Sequence, residues 1–223
     1  MGKRQHTFQW IRWINLLQNT IIPTFIGKLI SYVIFKIFKI YINPSSRIRG
    51  DGYVYLGKNV VIDEGVNILA PRGSSIFFSE GSRVGSFCHI EADEFANIMI
   101  GEKSTIQVRT QIRGDVYVGK STLIAPNCFI SSGKHLYNTN DFMTIKEQDS
   151  YYLKTYKKNY SESIVIGDDC WLGINVVILP GTKVNDHSVI GANIVVSGII
   201  NRCSVLLNNK NIVIKKRNYN DSY

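Results

Sequence analysis

Aspartate and glutamate are absent from the first fifty residues. The first acid is Asp51, while Lys3, Arg4, Arg12, Lys28, Lys36, Lys39, Arg47 and Arg49 all precede it. These eight cations account for nearly all of the net charge of +9, so the rest of the chain is close to neutral. A basic segment of this kind suits an acidic partner such as nucleic acid or an anionic membrane, and its neighbours decide which. Cysteine is sparse as well. Cys88, Cys128, Cys170 and Cys203 lie roughly 30 to 40 residues apart with no CxxC pair. That spacing argues against a zinc site or a disulfide framework and for reduced, packed thiols in a cytoplasm. No uninterrupted apolar run reaches the roughly 20 residues that a bilayer span requires. A secretory signal would need a compact apolar core and a small-residue cleavage site, and neither is clear.

Residues 1–46 read as an amphipathic helical segment. Trp10, Trp13, Ile14 and Leu17 share one helical face, and Pro23 should break or kink the run. Further on, Lys28, Lys36 and Lys39 fall in a narrow sector and leave a wide apolar face. Basic, aromatic-rich helices of this type lie in membrane interfaces. Peripheral contact through residues 8–42 at the inner membrane face is therefore expected, with no role for nucleic acid. The alternative is a helical cap packed on the main domain or on a second subunit.

From Arg47 branched aliphatics return every sixth residue. Ile48, Val54, Val60 and Val66 set one phase, and Phe78, Val84 and Ile90 resume it. After a slip near "FANIMI", Ile100, Ile106, Ile112, Val118, Ile124 and Ile130 continue the rhythm, and Ile166, Leu172, Ile178, Val184, Ile190 and Val196 close it. A helix repeats near 3.6 residues and a strand every two, so neither alone gives six. A chain that turns a corner every six residues does, each unit burying its aliphatic only by stacking on the next turn. The expected fold is therefore an all-β parallel β-helix over 47–205, with one excursion loop over 136–163 and a basic tail over 206–223.

The stretch "IGDDCWLGINVVILPGTKVNDHSVIGANIVVSG" is similar to the hexapeptide-repeat acyltransferases, above all the maltose/galactoside-type and surface-polysaccharide O-acetyltransferases. The resemblance implies a left-handed parallel β-helix, acetyl-CoA as acyl donor, and a homotrimer with each active site between adjacent helices. The family's catalytic histidine sits at a fixed interval after an "APN" tripeptide, which Ala125, Pro126 and Asn127 reproduce, and that interval leads to His135. An imidazole titrates near neutrality and can accept a proton from a hydroxyl. The resemblance also implies that Trp171 lines the acyl end of the groove. It lays the pantetheine arm along Gly173, Ile174, Gly191, Ala192 and Ser197, and brings Lys215 near the nucleotide phosphates. His89, Gln107, Asn127 and Tyr137 are the expected acceptor-side residues. The chain departs from the family in three places, one being "LNNKN" (Leu207 to Asn211) where the family has "GNPAK" before the cation. "STIQV" stands where some relatives keep an asparagine, so Thr105 or Gln107 could substitute, and no acid immediately precedes His135, which leaves only Asp141 as a guess for its orienting partner. No HxxxxH pair occurs, so no metal is expected.

Between His135 and Ile164 the rhythm is absent and Tyr and Lys abound, as at Tyr137, Tyr151, Tyr152 and Tyr156. Long excursions from a compact solenoid are commonly functional, and aromatic rings stack on sugar faces, so a carbohydrate acceptor is expected. The sequence thus points to O-acetylation of a sugar hydroxyl in a bacterial surface polysaccharide or its precursor. Two other readings stay open at this point: N-acetylation of a nucleotide-linked amino sugar, and a non-catalytic β-helix scaffold.

Overall fold

The structure, a computed structural model, describes residues 29, 32–33, 36–156, 160–207 and 213–216. The chain winds into a three-sided solenoid of parallel sheets, one of nine strands and two of seven. Inward side chains stack in register from coil to coil. On the first face Ile62, Val84, Ile106, Ile124, Leu172 and Ile190 form one column. On the second face Ile48, Ile68, Ile90, Ile112, Ile130 and Ile178 form another. The third face carries longer strands in its early coils, with two inward positions each, as in Ile76 with Phe78 and Ile98 with Ile100. Nearly all of these side chains are completely buried, each contributing about 1.5–3 kcal/mol of transfer free energy.

This register corrects the expected phase in the first coils. Ile62 and Ile68 are the strand aliphatics, whereas Val60 and Val66 sit two residues earlier, buried at the corners, and Val54 is only half-buried. The corner position that Val60 and Val66 fill is aliphatic again at Val176 and Ile194, and small or hydroxylated at Ser82, Cys88, Ser104, Thr110, Thr122, Cys128 and Cys170. At Ser104 and Thr122 the hydroxyl bonds backbone groups of the next coil. Ser104 Oγ donates to Gly119 O (2.6 Å) and accepts from Thr122 N (2.9 Å), and Thr122 Oγ1 then donates to Gly167 O (2.8 Å). These bonds satisfy buried backbone groups that a valine could not reach, which is why the aliphatic rhythm has two interleaved phases. The slip near "FANIMI" is a longer turn into the third face. Coils here span 22 residues, as from Asn67 to His89, against 18 from Gln111 to Phe129.

All four cysteines are free and buried, and burial pushes the Cys88 thiol up to about 12 and that of Cys128 to about 11. Neither is a thiolate at neutral pH, in keeping with a packing role. The solenoid begins already at Tyr41, whose strand Tyr41–Ile42 pairs with Val61–Ile62, and Phe38 in the preceding helical turn packs on the end of the core. The face formed by Trp10, Trp13, Ile14 and Leu17 lies outside the described residues. Among the described residues no helix is long and apolar enough to cross a membrane. At the other end Val213–Lys216 adds antiparallel to Ser204–Leu207, so part of the expected tail is an edge strand.

The expected excursion loop contains a helix, α1 (Ile145–Tyr156). Thr144 caps it reciprocally, its N–H donating to Glu147 Oε2 (2.8 Å) while the Glu147 N–H reaches Thr144 Oγ1 (3.3 Å).

Unfolding in guanidinium, followed by circular dichroism, tests the stack. Ile112→Ala should cost about 2–5 kcal/mol as a core truncation. Gly101→Ala should also lower the midpoint although it adds apolar surface, because its Cβ would stand 2.3 Å from Gly119 O in the next coil. An unchanged midpoint for both would contradict this packing.

Candidate active site

The chain leaves the coil after the second-face strand Phe129–Ser131, at the corner before the third face. The two ends of the excursion are tied together. Gly133 bridges antiparallel to Ser161, Lys134 N donates to Tyr160 O (3.2 Å), and Lys134 Nζ meets Glu162 Oε1 at 3.3 Å. His135 is the first residue beyond this clasp. Its side chain is 83% exposed, and its Nδ1 lies 2.6 Å from Asp149 Oδ2. The other oxygen of Asp149 accepts the backbone N–H of Leu136 (2.9 Å). That backbone bond, with the His135 contact adding to it, holds the Asp149 carboxyl below its ordinary range. The carboxylate therefore accepts from Nδ1–H, and the imidazole presents its Nε2 lone pair outward.

Asp149 is the orienting partner that the sequence left open, and Asp141 is not. Asp149 is placed by its neighbour: Gln148, the one buried residue of α1, accepts from Thr139 N (2.9 Å) and Oγ1 (2.6 Å) and donates to Met143 O (2.9 Å). With Gln148 turned into the excursion, the next side chain faces His135. A polar, weakly amphipathic helix gives no hydrophobic period by which to find it.

Two cavities meet at His135. The one on the coil side, about 470 Å³, is bounded by Asp93, Arg113, Phe129, Asp149 and Pro180. The one on the helix side, about 430 Å³, is bounded by Tyr137, Tyr151, Tyr152, Tyr156 and Tyr160. The tyrosines expected to contact an acceptor are thus brought together, with the Tyr152 ring tilted against Tyr156 at 4.4 Å and edge-on to Tyr160 at 5.4 Å. His89 borders neither cavity but belongs to a chain of contacts that ends in one. Arg49 donates to Asn67 Oδ1 (3.0 Å), Asn67 Nδ2 meets His89 Nδ1 (2.9 Å), and His89 Nε2 and Arg113 Nη2 both meet Glu91 Oε2 at 2.8 Å. Burial opposes ionisation of Glu91, but the His89 bond and the Arg113 charge hold its carboxyl below the ordinary value.

The remaining expected residues lie elsewhere on the prism. Gln107 and Asn127 occupy corners between the first and second faces and border neither cavity. Asn127 is in the left-handed region (φ 59°), where asparagine is tolerated, so corner geometry accounts for it. Trp171 is half-exposed on the first face, and Gly173, Ile174, Gly191 and Ala192 follow at the corner beyond it in successive coils. The Gly173 Cβ would meet Ala192 N at 2.7 Å, so coil stacking itself requires glycine there. Ser197 sits at the same corner as His135, two coils further on, and Lys215 lies in the edge strand opposite Val205. Among the described residues no three His, Cys, Asp or Glu side chains converge as a metal site would require.

The sequence profile of a family described as bacterial transferase hexapeptide (six repeats) matches residues 163–198. The putative lipopolysaccharide biosynthesis O-acetyl transferase WbbJ of Escherichia coli (strain K12) is 31% identical over 173 residues, covering 77% of this chain and 76% of that protein. Galactoside O-acetyltransferase of the same strain is 31% identical over 122 residues, which are 55% of this chain and 48% of that protein. Among solved structures, the polysialic acid O-acetyltransferase OatWY superposes with a TM-score of 0.60 at 18% identity, over 82% of this chain and 90% of that one. Those likenesses fix the hand of the coil as left, and the match to WbbJ covers far more of the chain than residues 163–198. The chain belongs to the hexapeptide-repeat acyltransferases.

Proposed function

We propose that the protein transfers an acetyl group from acetyl-CoA to a sugar hydroxyl of a bacterial surface polysaccharide or its precursor, with His135 as the catalytic base. The observation that carries this reading is the Asp149–His135 pair at 2.6 Å, opening on two cavities. His135 Nε2 takes the acceptor's proton as the hydroxyl oxygen attacks the thioester carbonyl. The carbonyl π electrons move to oxygen. When they return, the C–S bond breaks, and the imidazolium gives its proton to the departing thiolate. The products are an acetyl ester and the free thiol, and no residue of the chain is acylated. Asp149 stays ionised throughout, holds the ring in one tautomer and stabilises the imidazolium that forms.

The donor-side residues support assembly as a trimer. Trp171, Gly173, Ile174, Gly191 and Ala192 lie on the first face and the corner beyond it, while His135 and Ser197 lie on a different corner. A slot that uses both sets takes one from each of two adjacent chains. The exposed apolar side chains of Tyr32, Val33 and Ile37, with Lys36 over the Tyr32 ring at 5.4 Å, fit contact with an anionic membrane bearing lipid-linked glycans.

Four outcomes follow. His135→Ala should lower kcat/KM by about 10²–10⁴-fold and Asp149→Asn by about tenfold or more, read as thiol release with acceptor present. The product should be cleaved by mild base, as an ester is and an amide is not. Mixing His135→Ala with Trp171→Ala chains should restore part of the activity if the slot is shared between copies, and no restoration would place it within one chain. The pH profile has a definite sign. Asp149 remains ionised well below the imidazole range, so kcat/KM should fall with decreasing pH between about 8 and 5 along a limb of slope one. A second acid ionisation in that window would contradict the assignment.

A further inference from the structure

In the coil-side cavity every cation already has a carboxylate, and one carboxylate has no cation. Arg113 is held by Glu91 at 2.8 Å, and Lys134 by Glu162 at 3.3 Å. The Asp93 carboxylate makes no hydrogen bond or ion pair among the described residues, although it borders the same cavity. Its surroundings keep it open. Gly114, at φ 87°, stands beside it, and a Cβ there would lie 3.1 Å from Asp93 Oδ2 and collide with Ser132. Burial, with the nearby Glu91 charge adding to it and that of Arg113 opposing, pushes the Asp93 carboxyl above its ordinary value.

Arg113 offers the complementary group. One of its five N–H donors is used by Glu91, which is itself fixed through His89 and Asn67 to the coils below. The ring of Phe129, more than a third exposed, borders the same cavity one coil beyond Arg113. We propose that Asp93 and Arg113 hold two neighbouring hydroxyls of an uncharged pyranose against the Phe129 face, and so set which sugar is presented to His135. A carboxylate accepts from both hydroxyls of a diol, and an arginine fork donates to their oxygens, while the ring's C–H face covers the aromatic. An acidic sugar would find both cavity cations already neutralised and Asp93 opposing it.

This inference rests on the transferase reading, but its test does not require turnover. Methyl β-galactoside, methyl β-glucoside and methyl β-glucuronide are titrated by saturation-transfer NMR into the wild type and Asp93→Asn. CoA affinity and melting temperature report that the variant is folded. Expected is binding of at least one neutral glycoside, weakened about 10- to 100-fold in Asp93→Asn. The 2-, 3- and 4-deoxy analogues of that glycoside identify the diol: the two lacking either of its hydroxyls should bind the wild type weakly and lose less in the variant. The glucuronide should bind the variant better than the wild type. Equal binding of neutral glycosides by both proteins, or preference of the wild type for the glucuronide, would overturn the proposal, as would failure of every neutral glycoside to bind. Absence of acetyl transfer by the wild type to any glycan offered would instead sink the transferase reading, whatever Asp93 does.

Discussion

Stacking of identical positions from coil to coil is the constraint on which everything else depends. Each coil contributes a few inward aliphatics, too few to form a core by themselves, and gains burial only when the next coil places its own directly above. The corners close under the same requirement. The Ser104 and Thr122 hydroxyls each tie their coil to the next one, and Gly101, Gly119 and Gly167 succeed each other where any side chain would strike the neighbouring backbone. The result is a rigid prism on which outward residues are held in columns, so that a long excursion can leave one corner without disturbing the rest.

Rigidity of the prism and freedom of the excursion divide the chemistry between them. The coil supplies fixed groups, among them Arg113 at the end of the Arg49–Asn67–His89–Glu91 chain. The excursion supplies His135 together with its own orienting partner, brought back by α1 and locked by Gln148. A histidine and its carboxylate that come from one segment keep their geometry even where the histidine is largely exposed. One cavity lies between coil and excursion, and the other within the excursion itself.

Much of this was legible in the residues, and the limits have physical causes. The six-residue period revealed the coil because burial in a solenoid is strictly periodic, and its interruption after Ile130 marked where the excursion leaves. Phase was misread at Val60 and Val66 because corner and strand positions are both buried, and valine fits either. Thr122 or Ser104 at the same corner would have separated the two, since only a corner tolerates a hydroxyl that bonds the adjacent coil. Helix α1 was missed because it buries a single glutamine and has no apolar stripe, although the Thr144–Glu147 capping pair was there to be seen. Asp149 lies 14 residues beyond its histidine, a separation that carries no local signal. Asn127 was taken for an acceptor contact when a left-handed corner explains it.

The central claim is that the His135 imidazole, and not another group in the cavities, removes the acceptor's proton. Its ring is open to solvent, so a space left in its place should admit a small base. The direct measurement is the rate of thiol release by His135→Ala, with acetyl-CoA and a glycan acceptor, as free imidazole is added. Saturable recovery, rising with the neutral fraction of the added imidazole, is the result predicted here. A variant as fast as the wild type without imidazole, or one that imidazole leaves inert while CoA and acceptor still bind, would contradict it.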